Sequence, residues 1–182
     1  MSEAGPPDFF ALFGLSEDYA IDREALAERY RELQREAHPD RHAHGSDSER
    51  LAAVQKAAWI NEAYRVLKDP VARARYLLER RGVAIDDEQN TAMDPAFLME
   101  QMELRETLAG IREVADPFGE LEGLRATLEA SLKAEKEALT AAFAAGGEAD
   151  LARAAEGVRK LQFLQKLAVE VDDMDEALHD AL

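Results

Sequence analysis

The sequence contains no cysteine among its 182 residues. Disulfide bonds and thiolate metal sites are therefore excluded, and nothing in the composition points to an oxidising compartment. No apolar run approaches the ~20 residues that a membrane-spanning helix needs. The N-terminal residues also lack the basic and then apolar layout of a secretion signal. We therefore expect a cytoplasmic protein.

Basic residues are scarce as well. The chain has 22 Lys and Arg against 38 Asp and Glu, which gives a net charge of −16. Nucleic-acid binding needs clustered Lys and Arg, so this class of partner is excluded. The imbalance is uneven, because residues 1–82 hold 13 basic and 15 acidic side chains whereas residues 83–182 hold 9 and 23. This change of composition predicts a domain boundary near Gly82.

Strand signals are nearly absent, since there is no alternating β-branched run and no Asn-Gly hairpin. The sequence predicts an all-α fold with helices over about 9–13, 22–37, 48–68, 70–81, 94–115, 116–145 and from 148 to near the C-terminus. Short breaks between the last three helices favour an antiparallel three-helix bundle. The predicted domains are residues 1–82 and 94–182, and the acidic segment 83–93 is the linker.

Sequence motifs of enzymes are also missing. We find no Gly-rich phosphate loop, no nucleophile elbow and no zincin motif. We therefore predict that the protein is not an enzyme, has no cofactor and no metal, and does not hydrolyse ATP itself.

The tripeptide His38-Pro39-Asp40 opens a polar loop between two amphipathic helices. The first helix has apolar residues at helical spacing, namely Leu26, Tyr30, Leu33 and Ala37, and Pro39 helps to end it. The second pattern runs through Leu51, Val54, Ala57, Ala58, Asn61, Tyr64 and Leu67. We also predict that Trp59, Tyr64 and Tyr76 lie in the core or at its edge. Arg31 and Arg35 share one face of the first helix at four-residue spacing.

The helix that begins at Asp94 carries more apolar residues than a small bundle needs. At roughly 100° per residue, one arc of this helix is the expected core stripe of Phe97, Leu104, Leu108 and Ile111. Leu98, Met99 and Met102 occupy a second arc, with Glu103 and Glu106 on or beside it. A surplus Leu/Met patch with a charged rim is typical of a protein-binding site. The alternative is that this second stripe packs inside the protein.

These patterns resemble the HscB family of iron–sulfur co-chaperones, which are J-domain proteins. Residues 8–15 are similar to the family's N-terminal motif, and His38 to Arg41 match its J-domain loop. Residues 61–67 and 73–78 fit the later J-domain helices. The most specific match is the segment 97–106, which begins Phe-Leu-Met-Glu-Gln, and residues 158–164 fit the family's last helix.

The resemblance implies an L-shaped pair of domains, a J-domain followed by a three-helix bundle. It implies a co-chaperone that binds an IscU-type iron–sulfur scaffold, targets it to a DnaK-like HscA-type chaperone and stimulates the ATPase of that chaperone. The implied chaperone-binding residues are His38, Pro39, Asp40 and Arg41, with Arg31 and Arg35 on the helix before them. The implied scaffold-binding residues are Leu98, Met99, Met102, Glu103, Glu106 and Phe163.

Three readings stay open from the sequence. The chain is either an HscB-like adaptor or a generic J-domain adaptor whose bundle serves another client. A metal-binding or catalytic helical protein that uses His38, His42 and His44 is the third reading. No cysteine or tight carboxylate set completes such a site, so solvated loop histidines are the preferred interpretation.

Overall fold

The structure is a computed structural model that describes residues 8–38, 45–85 and 93–181. These residues form helices and no strand, which confirms the all-α fold class. The helices are α1 (Phe9–Phe13), α2 (Arg23–Glu36), α3 (Asp47–Lys68), α4 (Pro70–Arg80), α5 (Pro95–Gly110), α6 (Pro117–Ala145) and α7 (Glu148–His179). Among the described helices, none combines the length and the apolar character that crossing a membrane requires.

The chain divides between Arg80 and Arg81 into two compact units. In the first unit, aspartates cap the first two helices, whose starts agree with the predicted ranges to within one residue. The Asp8 carboxylate accepts a hydrogen bond from the Phe10 amide at 2.9 Å, and Asp22 caps α2 in the same way. Helix α1 ends at Gly14, whose φ of +66° favours glycine. The core of this unit contains Phe10, Phe13, Leu26, Leu33, Ile60, Leu67, Leu77 and Leu78.

A buried arginine also holds the first unit together. The Arg73 guanidinium on α4 donates to the backbone carbonyls of Tyr19 and Leu67 at 2.8 and 2.6 Å, and it stacks over the Tyr19 ring. Burial lowers the pKa of Arg73, because the charged form has lost most of its water. This one side chain therefore links α4 to the end of α3 and to the segment before α2.

The apolar face predicted for the second helix of the hairpin is wrong over most of its length. In α3, Leu51 and Val54 are exposed, and the buried side chains are Ala53, Ile60, Ala63, Val66 and Leu67. The many alanines of α3 are small enough for the buried or the exposed face, so the sequence pattern does not show which face of the helix is buried. The prediction for Trp59 is wrong for the same reason, since 40% of its surface is exposed. Tyr64 and Tyr76 are partly buried as predicted.

The second unit contains α5, α6 and α7. Helix α5 ends earlier than predicted, at Gly110, and a 3₁₀ turn over Ile111–Glu113 completes it with Ile111 fully buried. Asp116 then caps α6 by accepting from the Gly119 amide at 3.0 Å. Gly146, with φ of +68°, ends α6 and allows the reversal into α7.

Ion pairs and core contacts establish the antiparallel arrangement of α6 and α7. Arg125, in the first third of α6, lies 3.1 and 3.2 Å from the carboxylates of Asp172 and Asp175 near the end of α7. Helix α5 packs on this hairpin through the buried Leu108 and the partly buried Phe97 and Leu104, with Ile111 of the following turn. The shared core of the unit consists of Leu108, Ile111, Leu121, Leu124, Leu128, Leu164, Leu167 and Val171.

Candidate functional site

The loop predicted to bind the chaperone is described only at its two ends. His38 is exposed after the last turn of α2, and Pro39, Asp40 and Arg41 lie outside the described residues. Both ends of the loop are anchored in regular helices. At the far end, Ser46 and Glu49 form a capping box, in which the Ser46 amide donates to the Glu49 carboxylate at 2.7 Å and the Glu49 amide donates to the Ser46 hydroxyl at 3.3 Å.

A polar and aromatic network fixes the two helices that carry this loop. The Tyr30 hydroxyl donates to the Asn61 side-chain oxygen at 2.9 Å, and the Gln34 amide donates to both groups. The rings of Tyr30 and Tyr64 stack with centroids 3.9 Å apart. This network was not predicted from the sequence, although the four-residue spacing of Tyr30 and Gln34 was a usable signal. The network holds α2 and α3 in a fixed mutual orientation.

Arg31 and Arg35 lie on an exposed face of α2, one turn apart. The Arg35 Nε donates to the Arg31 carbonyl at 3.3 Å, which holds its side chain along the helix. This face leads toward His38 and the loop. The arrangement places two exposed guanidinium groups in the last two turns of a helix that is otherwise rich in glutamate and ends shortly before His38.

The Leu/Met patch of α5, which comprises Leu98, Met99 and Met102, lies at the surface. Met99 and Met102 are 64% and 61% exposed, and Leu98 is the more shielded of the three. Glu103 and Glu106 are exposed on the same helix. The described residues of the protein therefore do not bury this second stripe. An exposed pair of methionines is an adaptable apolar surface, and the neighbouring carboxylates can orient a basic partner.

Phe163 on α7 is partly exposed and lies near Arg105 of α5. The Arg105 guanidinium is 5.9 Å from the centre of the Phe163 ring, and its Nε is 3.5 Å from the Glu170 carboxylate. Arg105 stands three residues after Met102 and seven after Leu98, so it continues their line along α5. The structure thus places Phe163 next to a residue that lies on the same line of α5 as Leu98 and Met102. The position of Arg105 beside the patch was not predicted from the sequence, although this spacing pointed to it.

Lys160 of α7 holds the start of α5. Its ammonium is 4.0 Å from the Asp94 carboxylate, 3.0 Å from the Glu156 carboxylate and 5.6 Å from the centre of the Phe97 ring. Burial works against the charge, but the hydrogen bond with Glu156 and the nearby carboxylates raise the pKa of Lys160. Burial also disfavours the charged form of Glu135 on α6, which faces the same charges, and therefore raises the pKa of this carboxyl group. The first turn of α5 is therefore tied to α7 by a charged contact.

No group of three or more potential metal ligands occurs among the described residues. His38 is the described member of the three histidines considered for a metal site, and His42 and His44 lie outside the described residues.

The braced helical hairpin with its His-Pro-Asp loop, followed by a helical bundle, defines the chain as a J-domain protein with a C-terminal helical domain. Two family models support this class. A DnaJ domain matches residues 8–76, and the HSCB C-terminal oligomerisation domain matches residues 93–172. The chain belongs to the HscB family of co-chaperones.

Relatives and solved structures agree with this assignment over nearly the full length. A co-chaperone protein HscB homolog from Shewanella sp. (strain ANA-3) is 43% identical over 95% of this chain and 99% of its own length. A homolog from Ralstonia nicotianae is 45% identical over 94% of this chain and 96% of its own. The structure of chaperone HscB from Vibrio cholerae matches with a TM-score of 0.83 at 39% identity, covering 94% of this chain and 99% of that one.

Proposed function

We propose that this protein is an adaptor in cytoplasmic iron–sulfur protein maturation. Residues 94–182 bind an IscU-type scaffold, residues 1–82 engage a DnaK-like HscA-type chaperone, and residues 83–93 link the two domains. The adaptor delivers the scaffold and stimulates the ATPase of the chaperone. The exposed Leu/Met patch on α5 is the observation that carries this proposal, because it adds a client site to a J-domain.

Chemistry at the loop explains the stimulation of the chaperone. The Asp40 carboxylate pairs with a basic group of the chaperone and shifts its balance between inactive and active states, a coupling typically worth ~1–3 kcal/mol. Pro39 restricts the backbone and so reduces the ordering cost of docking. His38 and Arg41 complete the loop contact, and the arginines of α2 approach an acidic face of the chaperone. The rigid pairing of α2 and α3 supports the loop during this contact.

Binding of the scaffold follows from the patch and its rim. Leu98, Met99, Met102 and Phe163 supply the apolar surface that is buried on association. Glu103 and Glu106 set the orientation of the scaffold through charge complementarity. A patch of so few side chains supports modest and reversible binding, which suits delivery followed by release.

The test is the steady-state ATPase of an HscA-type chaperone, measured with and without the scaffold. The wild-type protein should stimulate the chaperone alone and stimulate it further with the scaffold. Asp40→Asn should abolish both effects. A Leu98/Met99/Met102 triple serine variant should keep the basal stimulation and lose the scaffold-dependent increase.

Two results would count against the proposal. If the wild-type protein does not stimulate the chaperone, the loop is an ordinary turn or serves another chaperone. If the triple serine variant keeps the full scaffold-dependent increase, the bundle serves another client and the generic J-domain adaptor is correct.

A further inference from the structure

A groove lies between the C-terminal end of α5 and the last third of α7. Its volume is about 490 Å³. The apolar part of its lining consists of Leu108, Ala109, Met174 and Ala177. Leu108 is buried, Met174 and Ala177 are partly buried, and Ala109 is exposed. The groove is therefore a surface depression that a side chain of a partner can enter.

The groove begins where the Leu/Met patch ends. Arg105 lines the groove and stands three residues after Met102 on α5, and Ala109 and Arg112 follow at intervals of four and three residues. This spacing keeps all four residues on one line along the helix. The patch and the groove thus form one surface, which from residue 98 to residue 112 is about 20 Å long.

The two long edges of this surface carry opposite charges. Arg105 faces α7, since its Nε is 3.5 Å from the Glu170 carboxylate. At roughly 100° per residue, Arg112 lies within about 20° of Arg105 around the helix axis, whereas Glu103 and Glu106 lie about 100–160° away. The edge toward α7 is therefore basic and the opposite edge is acidic. A bound partner must match both edges, which fixes its orientation.

The two guanidinium groups on the basic edge differ in their contacts. Arg105 is matched by Glu170 and lies 5.9 Å from the centre of the Phe163 ring. Arg112 is exposed and forms no ion pair within the described part of the chain, although Asp173 lines the same groove. An unmatched guanidinium beside an apolar surface is suited to a carboxylate, which it can bind through two parallel hydrogen bonds.

We propose that the scaffold-binding surface extends from the Leu/Met patch into this groove, and that Arg112 binds a carboxylate of the scaffold there. An apolar side chain next to that carboxylate packs on Leu108 and Met174. A basic group of the scaffold meets Glu103 and Glu106 on the opposite edge. The identity of the partner rests on the proposed function.

Substitutions of charged residues in the groove test the proposed contact in both directions. Arg112→Gln should weaken scaffold binding about 3- to 10-fold in a titration, because the carboxylate loses its partner. Asp173→Asn should tighten binding, because it removes a like charge from the same groove, and both effects should shrink at high salt. The matched control is Arg153→Gln, which removes the same charge from a side chain that is 72% exposed near the start of α7 and should leave binding unaltered.

Single introduced thiols can map the covered surface, because the chain has no cysteine. Ala177→Cys reports on the groove and Met99→Cys on the patch. With about nine-tenths of the protein bound, the scaffold should slow thiol labelling of both variants about 10-fold. Ala152→Cys is the control, since Ala152 is exposed near the start of α7 and its labelling should not change.

The outcomes separate this inference from the proposed function. Wild-type scaffold affinity of Arg112→Gln would overturn the inference, and so would weaker binding of Asp173→Asn or an unprotected thiol in Ala177→Cys. If Met99→Cys is protected in that case, the proposed function stands without the groove. If the scaffold protects neither Met99→Cys nor Ala177→Cys, the inference and the proposed function both fail.

Discussion

Two glycines inside long helices of the second unit should respond to alanine in opposite ways. Gly157 lies in α7 and faces α6, and a Cβ built there meets the Glu135 carboxylate at 2.7 Å and a Leu139 methyl at 3.1 Å. Gly123 lies on the exposed side of α6, and a Cβ there meets nothing within 4 Å. Helix propensity alone would favour alanine at both positions.

The magnitudes separate the two variants. Gly123→Ala should raise the free energy of unfolding by about 0.5–1 kcal/mol, which is the cost of glycine in an exposed helix interior. Gly157→Ala gains the same propensity but must displace Leu139 in a packed interface, and overpacking typically costs about 1–3 kcal/mol. The Glu135 carboxylate can move at lower cost, since it ends a flexible chain. We therefore expect Gly157→Ala to be about 1–3 kcal/mol less stable than Gly123→Ala.

Urea unfolding of the full-length chain, followed by circular dichroism, measures this difference. The slope of the free energy against urea should stay constant, so that the midpoint shift reports stability alone. If Gly157→Ala matches Gly123→Ala in stability, the close contact between α6 and α7 at this position is wrong.

Three further predictions concern the patch, the buried arginine and the half-buried glutamate. Met99→Ser and Met102→Ser should each weaken scaffold binding about 5- to 30-fold in a titration, because each removes about 1–2 kcal/mol of apolar burial. The control Val169→Ser changes a 59% exposed side chain outside the patch and should leave scaffold binding unaltered. Arg73→Met should lower the free energy of urea unfolding by about 2–4 kcal/mol, because two buried carbonyls lose their donor. Glu135→Gln should stabilise the protein at pH 7. Because burial raises the Glu135 pKa above its usual 4.5, the folded wild-type protein binds a proton at a higher pH than the unfolded chain does. The stability gained by Glu135→Gln should therefore shrink as the pH falls through the raised pKa toward 4.5. A gain that does not depend on pH would refute this prediction.

Much of the fold follows from local signals in the sequence. Asp8, Asp22, Asp94 and Asp116 cap four helices whose starts agree with the predicted ranges to within one residue, and Gly146 ends α6. These boundaries could be predicted because capping depends on residues within one turn. The buried face of α3 could not be predicted, because its alanines are small enough for either face and packing against α1, α2 and α4 selects one.

In the candidate site too, features within one helix could be predicted from the sequence, whereas contacts between distant residues could not. The second apolar arc of α5 was visible from spacing alone, since the arc is a property of one helix. The contact of Arg105 with Phe163, and the brace between Tyr30 and Asn61, join residues that are distant in the chain. Helical periodicity does not contain such pairings. The burial of Gln101 could not be predicted either, because the core stripe of α5 was identified from its apolar residues alone and this polar residue lies within it.

The two proposed contacts gain their effect from being on one chain. The patch offers a few partly exposed side chains, and the loop offers a short polar segment, so each contact alone is weak. When one partner is bound, the covalent link turns the second encounter into an intramolecular one with an effective concentration in the millimolar range for a short linker. Weak separate contacts also permit release once the chaperone has taken over the scaffold.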